Sequence, residues 1–170
     1  INSGDSTVTR IDLNGKSTIL GITGANPRWI ILDNSSAIYT ANYNDNTISK
    51  INLIESSIQI WTTWSFPYGG ILSDALGNIY TANYGDNTVS KITPDGTSTV
   101  LGTTGANPLG ILMNSLGNIY TVNWASNNVS KITPDGTSII LGTTGTNPRG
   151  ITWDSAGNIY TANAGDNTVS

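Results

Sequence analysis

The feature that most constrains the fold is a repeat of about forty residues. The stretch "GNIYTANYGDNTVSKITPDG", residues 77–96, returns as "GNIYTVNWASNNVSKITPDG", residues 117–136. Four equivalent isoleucines, spaced 41, 40 and 40 residues apart, are Ile38, Ile79, Ile119 and Ile159. A repeat of this period predicts one supersecondary unit per copy, stacked on its neighbours so that adjacent copies share a core.

Each copy reads as four short strands separated by turns. In one unit the strand-like runs are "GILSD", "NIYTANY", "TVSKIT" and "STVLGTT", and the turns are "ALG", "GDN" and "PDG". Thr93-Pro94-Asp95-Gly96 suits a type I turn, because Pro presets φ and Gly accepts a positive φ. Neither alternate set of residues in "NIYTANY" is plainly polar, which favours a sheet covered on both faces. The sequence therefore predicts an all-β protein of the β-propeller class, with a parallel β-solenoid as the competing repeat fold.

The predicted units leave an incomplete blade at each end. We expect a half-blade over residues 1–26, blades over about 27–66, 67–107 and 108–147, and a second half-blade over 148–170. The two half-blades are complementary in strand content, and unpaired strand edges are usually avoided. One chain closing a four-bladed ring, a homodimer completing an eight-bladed ring and a fragment of a longer parent are the three alternatives. The homodimer is favoured, because eight blades lie within the common range.

Composition limits the chemistry that the chain can support. The net charge is −4 and the seven Lys and Arg residues are scattered, which argues against nucleic acid as a partner. No apolar run approaches the length of a membrane span, so membrane insertion is not expected. The chain has no His and no Cys. It therefore lacks the residues of Ser/His/Asp and Cys/His nucleophilic sites, and the prediction is that it is not an enzyme.

The repeats resemble two kinds of propeller repeat. The run "NPRGITWDSAGNIYTANAGDNTVS" resembles NHL-type repeats, and "IYTANYGDNTVSKI" is similar to the YVTN type of surface-layer propellers. The resemblance implies a scaffold or binding module that is secreted or surface-exposed, with "GILSD" as the innermost strand. The "ITPDG" turns also resemble virginiamycin B lyase-like enzymes, which implies a metal-dependent lyase or lactonase as an alternative. That family relies on a histidine base, which this sequence lacks.

An acidic or amide residue closes each predicted innermost strand. The four residues are Asp33, Asp74, Asn114 and Asp154. On a closed ring they would converge near the central channel, where carboxylate and amide oxygens suit Ca²⁺. The alternative is that each side chain caps the tight turn that follows it. No cofactor is the main prediction, and Ca²⁺ at these four residues is the alternative.

Two further sets recur at fixed repeat positions. Asparagine follows "TA" or "TV" in every copy, and we expect it to bond neighbouring backbone groups inside the sheets. Tryptophan occupies strand positions in three copies and is expected to lie in the core. The asparagines are Asn42, Asn83, Asn123 and Asn163, and the tryptophans are Trp29, Trp124 and Trp153.

One junction between copies departs from the pattern. Residues 51–70 lose the "PDG" turn, gain one residue and carry four aromatic side chains: Trp61, Trp64, Phe66 and Tyr68. Clustered aromatics at a blade junction predict either a stacking surface for a sugar ring or peptide, or packing and protein contact. The predicted function is thus a non-enzymatic scaffold or binding module, with carbohydrate or peptide binding at this junction as one alternative and the lyase as another.

Overall fold

The computed structural model describes residues 1–55, 57–63 and 65–170. Across these residues the chain forms antiparallel β-sheets joined by turns, and no helix is present in the described part. Three sheets have four strands each, with sequential strands as neighbours, as the repeat predicts. The predicted all-β architecture of repeated four-stranded blades is confirmed.

The strands follow the chain in order. The first sheet is β1 (Thr7–Ile11) and β2 (Ser17–Ile22). The three complete blades are β3 (Pro27–Leu32), β4 (Ala37–Asn42), β5 (Thr47–Asn52) and β6 (Ser57–Thr62); β7 (Gly69–Ser73), β8 (Ile79–Asn83), β9 (Thr88–Ile92) and β10 (Ser98–Thr103); and β11 (Pro108–Met113), β12 (Ile119–Asn123), β13 (Asn128–Ile132) and β14 (Ser138–Thr143). The last sheet is β15 (Pro148–Trp153), β16 (Ile159–Asn163) and β17 (Thr168–Val169).

The "PDG" turns adopt the predicted geometry. Gly96 has a φ of 89°, which an L side chain rarely adopts, and its N–H donates to the Thr93 carbonyl at 2.8 Å. The Asp95 carboxylate accepts from the Thr93 hydroxyl at 2.5 Å and from the Thr97 N–H at 3.1 Å. These contacts set the hairpin between β9 and β10, because the turn type fixes the strand register.

The core lies between blades, on both faces of the second strands of the three complete blades, β4, β8 and β12. All five residues of β8 are buried, including Ile79 and Ala82, which have no exposed surface. Ile48 of one blade packs in a cluster with Ile71 and Ile79 of the next. Each fully buried isoleucine contributes about 1.5–3 kcal/mol. The first strands β3, β7, β11 and β15 contact one another in sequence, which places them side by side along one edge of the array.

An asparagine in each turn between the second and third strands holds the next blade. We call Asn46, Asn87 and Asn127 the clamp asparagines; their φ angles are 56°, 57° and 52°. Each side-chain oxygen accepts a hydrogen bond from a main-chain N–H in the inter-blade connection that follows. The pairs are Asn46 with Phe66 at 2.7 Å, Asn87 with Asn107 at 2.8 Å, and Asn127 with Asn147 at 2.8 Å. The main-chain carbonyls of the clamp asparagines accept from Thr63, Thr104 and Thr144 in the same connections. Because asparagine tolerates the left-handed region, it can make both contacts at once.

The two terminal sheets remain separate. In the described ranges, β1 and β2 pair only with each other, and β17 pairs only with β16. A four-bladed ring closed by one chain is therefore not formed here, and the ring completed by a second chain stays a prediction. The described residues contain no helix that is long and apolar enough to cross a membrane.

Candidate functional site

Four aromatic rings and one guanidinium form a contiguous surface cluster. The Tyr43 ring centroid lies 5.1 Å from that of Phe66 and 5.3 Å from that of Tyr68. Tyr68 in turn lies 5.7 Å from Tyr84 in an edge-to-face arrangement. The Arg28 guanidinium carbon lies 5.5 Å from the Tyr68 ring centroid and 6.0 Å from that of Tyr43. We call these five residues the aromatic patch.

The aromatic patch is assembled from two turns, one inter-blade connection and strand β3, which carries Arg28. Tyr43 and Tyr84 follow the second strands β4 and β8, and Phe66 lies in the connection between β6 and β7. The Tyr84 N–H donates to the Phe66 carbonyl at 2.9 Å, and the Ser65 N–H donates to the Asp86 carboxylate at 2.7 Å. These two bonds fix the connection against the turn after β8, and the bond from the Phe66 N–H to the Asn46 side-chain oxygen fixes it against the turn after β4. The rings are therefore held on a rigid frame.

Phe66 adopts a backbone conformation that is costly for its side chain. Its φ is 52°, in the left-handed region, where the equivalent residues are Asn26, Asn107 and Asn147. For a residue with a bulky side chain this conformation costs about 1–2 kcal/mol. The clamp contact from Asn46 holds Phe66 in this conformation, and Phe66 as a whole remains 41% exposed.

The structure brings together only part of the predicted aromatic junction. Phe66 and Tyr68 belong to the aromatic patch, but Trp61 does not. The Trp61 ring lies 6.1 Å from Tyr39 and 5.5 Å from the Lys50 ammonium, and it packs close to Gly96 of the next blade. Trp61 therefore fills space between two blades, because it lies within strand β6 rather than in the connection. The fourth predicted residue, Trp64, lies outside the described residues.

Three members of the aromatic patch were missed by the sequence analysis. Tyr43 and Tyr84 occupy the position after the recurrent asparagine, which is Trp124 and Ala164 in the later copies. Arg28 occupies the repeat position equivalent to Tyr68. The signal was present in the alignment of copies, where aromatic side chains cluster at the first two turns. Tyr43 and Tyr84 lie at a regular repeat position, so a departure from the repeat does not reveal them.

The prediction that Trp29 lies in the core is wrong. Trp29 is 44% exposed, and its indole N–H donates to the Tyr68 carbonyl at 2.6 Å, beside the aromatic patch. It is exposed because the preceding sheet has only two strands and does not cover β3. Trp124 and Trp153 are half-buried, and Trp153 meets Tyr120 edge to face at 6.1 Å.

The four predicted metal ligands cap turns. One Asp74 oxygen accepts from the N–H groups of Leu76 and Asn78, each at 2.9 Å. The other accepts from the Asn78 amide at 2.7 Å and from the Tyr80 hydroxyl at 3.0 Å. The i+2 and i+4 main-chain bonds recur at Asp33, Asn114 and Asp154. Turn capping thus accounts for all four residues, and Ca²⁺ binding stays a prediction. In the described part of the chain, no three His, Cys, Asp or Glu residues are grouped as a metal site.

The same hydrogen bonds control ionisation. Burial by itself raises the pKa of the Asp74 carboxyl, but the bonds from Asn78 and Tyr80 outweigh it and the net pKa is lowered. At Asp154 the bonds from Asn158 and Tyr160 lower the pKa to about 2. Burial, together with Asp33, raises the pKa of Tyr39 to about 12. The carboxylates of Asp74 and Asp154 therefore stay charged and the Tyr39 hydroxyl stays neutral at physiological pH. None of the three groups changes its protonation state near neutral pH, as an acid or base catalyst would need to do.

The recurrent asparagines are structural, but their partners differ from those predicted. Asn83 has no exposed surface; its oxygen accepts from the Thr81 hydroxyl, and its amide donates to the hydroxyls of Thr88 and Ser90. Asn42 makes the corresponding bonds in its own blade. At Asn42 and Asn83 the expectation of main-chain partners is therefore wrong, because the bonds run to hydroxyl groups of the same sheet.

Comparison with known proteins identifies the fold. No family model matches the chain, and no curated protein sequence matches it. Among solved structures, a virginiamycin B lyase from Staphylococcus aureus, a catalytically inactive histidine-to-alanine variant with quinupristin, is 18% identical with a TM-score of 0.83, covering 98% of this chain and 59% of that one. A streptogramin B lyase is 18% identical with a TM-score of 0.80, covering 99% of this chain and 62% of that one. The chain has a β-propeller fold.

These similarities establish the fold of the chain and do not establish its function. The chain spans about three fifths of the length of those lyases, and identity at this level shows architecture alone. The NHL-type and YVTN-type resemblance is not confirmed by the comparisons. Function has to be argued from the residues of this β-propeller.

Proposed function

We propose that this chain is a non-enzymatic β-propeller binding module that binds carbohydrate at the aromatic patch. The observation that carries the proposal is the contiguous cluster of Tyr43, Phe66, Tyr68 and Tyr84 beside the Arg28 guanidinium. The apolar face of a sugar ring stacks on aromatic rings, and a guanidinium donates several hydrogen bonds to hydroxyl oxygens. Tyrosine hydroxyls add donors and acceptors at the edge of the same surface.

The strained backbone of Phe66 supports a binding role for this junction. Asparagine occupies the equivalent position in three copies, so the fold does not need phenylalanine there. The substitution adds a half-exposed ring at an energetic cost. Strain of this kind is commonly found at ligand-binding sites.

The lyase alternative has weaker support. The inactive variant among the structural neighbours has one histidine replaced by alanine, and these 170 residues contain no histidine. The carboxylates of Asp74 and Asp154 are engaged by four donors each. These two carboxylates are therefore not free to act as a base.

The first test is a glycan array followed by titration calorimetry with the best ligand. Tyr68→Ala removes the central ring of the aromatic patch, and we expect binding to weaken at least about tenfold, equivalent to about 1.4 kcal/mol. Trp61→Ala is the matched control, because it removes an aromatic ring from the same irregular segment but outside the patch. Circular dichroism establishes that both variants keep the β-sheet structure.

Each outcome decides between the alternatives. Glycan binding that is lost with Tyr68→Ala and kept with Trp61→Ala supports the proposal. A protein that binds no glycan, or one whose binding survives Tyr68→Ala, refutes it. Binding of an arrayed peptide instead, or cleavage of a streptogramin, would assign the chain to one of the other two alternatives. The cell-surface location expected from the surface-layer resemblance stays a prediction.

A further inference from the structure

A cavity lies between the two complete blades β7–β10 and β11–β14. Its volume is about 570 Å³, and it is lined mainly by β9, β10 and the turns that follow β7 and β11. Turns after first and third strands lie at one end of an antiparallel blade, and the turns that carry the aromatic patch lie at the other end. We call this cavity the junction pocket. Its volume is within the range of small-molecule sites, about 300–1,000 Å³.

The walls of the junction pocket are largely apolar. Leu101 of β10 and Met113 of β11 line the pocket, and both pack against the buried cluster that contains Tyr80 and Ile119. Pro134, in the turn after β13, adds a further apolar surface. Because the first two side chains rest on a buried core, they form a fixed surface on which the carbon atoms of a ligand can be buried.

The junction pocket also contains one positively charged group, the Lys91 ammonium. Lys91 lies opposite Tyr80 in the register of β8 and β9, so the two side chains share a face of the sheet. The carboxylate that lines the pocket, Asp74, already accepts from the N–H groups of Leu76 and Asn78, from the Asn78 amide and from the Tyr80 hydroxyl. A carboxylate has about four lone-pair sites, so these donors leave little capacity for Lys91.

Across the pocket, an amide replaces a carboxylate. The residue is Asn114, whose equivalents in the other copies are Asp33, Asp74 and Asp154. The Asn114 oxygen accepts from two main-chain N–H groups of its turn, and its amide donates to the Tyr120 hydroxyl at 3.3 Å. An amide carries two hydrogens, so the second one can donate to a ligand. The side of the pocket formed by the second blade is therefore a neutral donor.

The junction between β3–β6 and β7–β10 has a smaller cavity with a different charge. Its volume is about 380 Å³, and its lining includes Asp33, Asp74 and Lys50. Two carboxylates and one ammonium give that cavity a net charge of −1, whereas one carboxylate and one ammonium give the junction pocket a net charge of zero. The junction pocket is therefore the better of the two for an anion.

The two lysines also differ in their surroundings. The Lys50 ammonium lies 5.5 Å from the Trp61 ring centroid and 5.8 Å from that of Tyr39, so aromatic rings already stabilise its charge. Gly102 holds the repeat position of Trp61, so the indole beside Lys50 has no counterpart beside Lys91.

We propose that the junction pocket binds a small carboxylic acid with an apolar chain or ring. The Lys91 ammonium and the Asn114 amide donate to the ligand carboxylate, and the side chains of Leu101, Met113 and Pro134 contact its apolar part. Hydrogen bonds from an ammonium to a carboxylate are among the stronger ones in proteins, and burial of the carbon chain adds to them.

The probe is octanoate, titrated into the protein by calorimetry, with octanamide as the neutral analogue of the same length. We expect saturable binding of about one octanoate per chain. Octanamide should bind at least about tenfold more weakly, because it brings no negative charge to the Lys91 ammonium.

Two substitutions in the pocket and one outside it locate the binding. Lys91→Met removes the ammonium and keeps an apolar chain. Asn114→Asp adds the second carboxylate of the neighbouring cavity, and the fold accepts it because Asp33 and Asp154 make the same turn bonds. Each should weaken octanoate binding at least about tenfold. Lys50→Met is the matched control, since it removes the equivalent ammonium from the neighbouring junction.

Each result decides for or against the proposal. Octanoate binding that both pocket substitutions weaken and Lys50→Met leaves unchanged supports it. The proposal is overturned if octanoate shows no saturable binding, if octanamide binds equally well, or if Lys50→Met weakens binding as much as Lys91→Met does. Circular dichroism monitors folding. Should Lys91→Met not fold, octanoate binding that survives Asn114→Asp overturns the proposal. Glycan binding at the aromatic patch, at the opposite end of the blades, is a separate readout of the proposed function.

Discussion

The hydrogen-bonded asparagine inside each blade gives the sharpest stability prediction. Asn83→Ala removes three bonds, one accepted from Thr81 and two donated to Thr88 and Ser90, at 2.8–3.0 Å. Each such bond contributes about 0.5–1.5 kcal/mol net, so the expected loss is about 3 kcal/mol of unfolding free energy. For a chain of this size that loss corresponds to a melting temperature lower by roughly 6–12 °C.

The measurement is urea unfolding followed by circular dichroism and tryptophan fluorescence. Asn44→Ala is the matched control, because Asn44 is exposed and, among the residues that the structure describes, its side chain makes a single bond, accepted from Asn26 at 3.2 Å. We expect the control to change the unfolding free energy by less than about 0.5 kcal/mol. A repeat array adds nearest-neighbour terms, so loss of one blade also broadens the transition.

A second variant separates hydrogen bonding from packing. Asn83→Leu restores side-chain volume but leaves the hydroxyls of Thr81 and Ser90 buried without this partner. If Asn83→Leu regains wild-type stability, the loss in Asn83→Ala comes from a cavity and the hydrogen-bond argument is refuted. A difference below about 1 kcal/mol between Asn83→Ala and Asn44→Ala refutes it as well.

The remaining predictions concern packing and pH. Gly110→Ala should destabilise the chain by about 1–3 kcal/mol through overpacking against β15, with Gly142→Ala unchanged or slightly stabilised, as urea unfolding can measure. Because hydrogen bonds depress the pKa of Asp74 and Asp154 below the usual value of 3.8, their contribution is present above about pH 4 and lost as pH falls toward 2. Asp154→Asn places at this position the residue that Asn114 provides in the preceding copy, and it should reduce the loss of unfolding free energy between pH 7, 4 and 2.5. If the free energy of the variant falls with pH as steeply as that of the wild type, the stabilising role of the Asp154 carboxylate is refuted. Because the pKa of Tyr39 is raised to about 12, we expect the contribution of Tyr39 to the unfolding free energy to be present below pH 10 and to be lost as pH rises toward 12.

The blade itself could be predicted from the sequence because its signals are local. Turn residues such as Pro94 and Gly96 fix the hairpins, and β-branched runs between them mark the strands. The strands predicted as "GILSD" and "TVSKIT" correspond to β7 (Gly69–Ser73) and β9 (Thr88–Ile92). The clamp asparagines were not predicted, because their acceptor role depends on a connection twenty residues further along the chain.

The candidate site could be predicted only in part, because it joins residues from different blades. Phe66 and Tyr68 stood out as departures from the repeat, and they do meet in the aromatic patch. Trp61, only five residues before Phe66, points between blades because a strand directs alternate side chains to opposite faces. Arg28 reaches the patch from forty residues away, a contact that stacking of blades creates and that sequence separation conceals.

The clamp asparagines also bear on how such an array can lengthen. Asn46, Asn87 and Asn127 hold the following blade through main-chain N–H groups, which every residue except proline carries. A gene duplication that copies one blade therefore brings a working junction with it, and the neighbouring blades need no compensating change. Side chains elsewhere in the copy, such as the Phe66 ring, are then free to diverge while the junction is conserved by its chemistry.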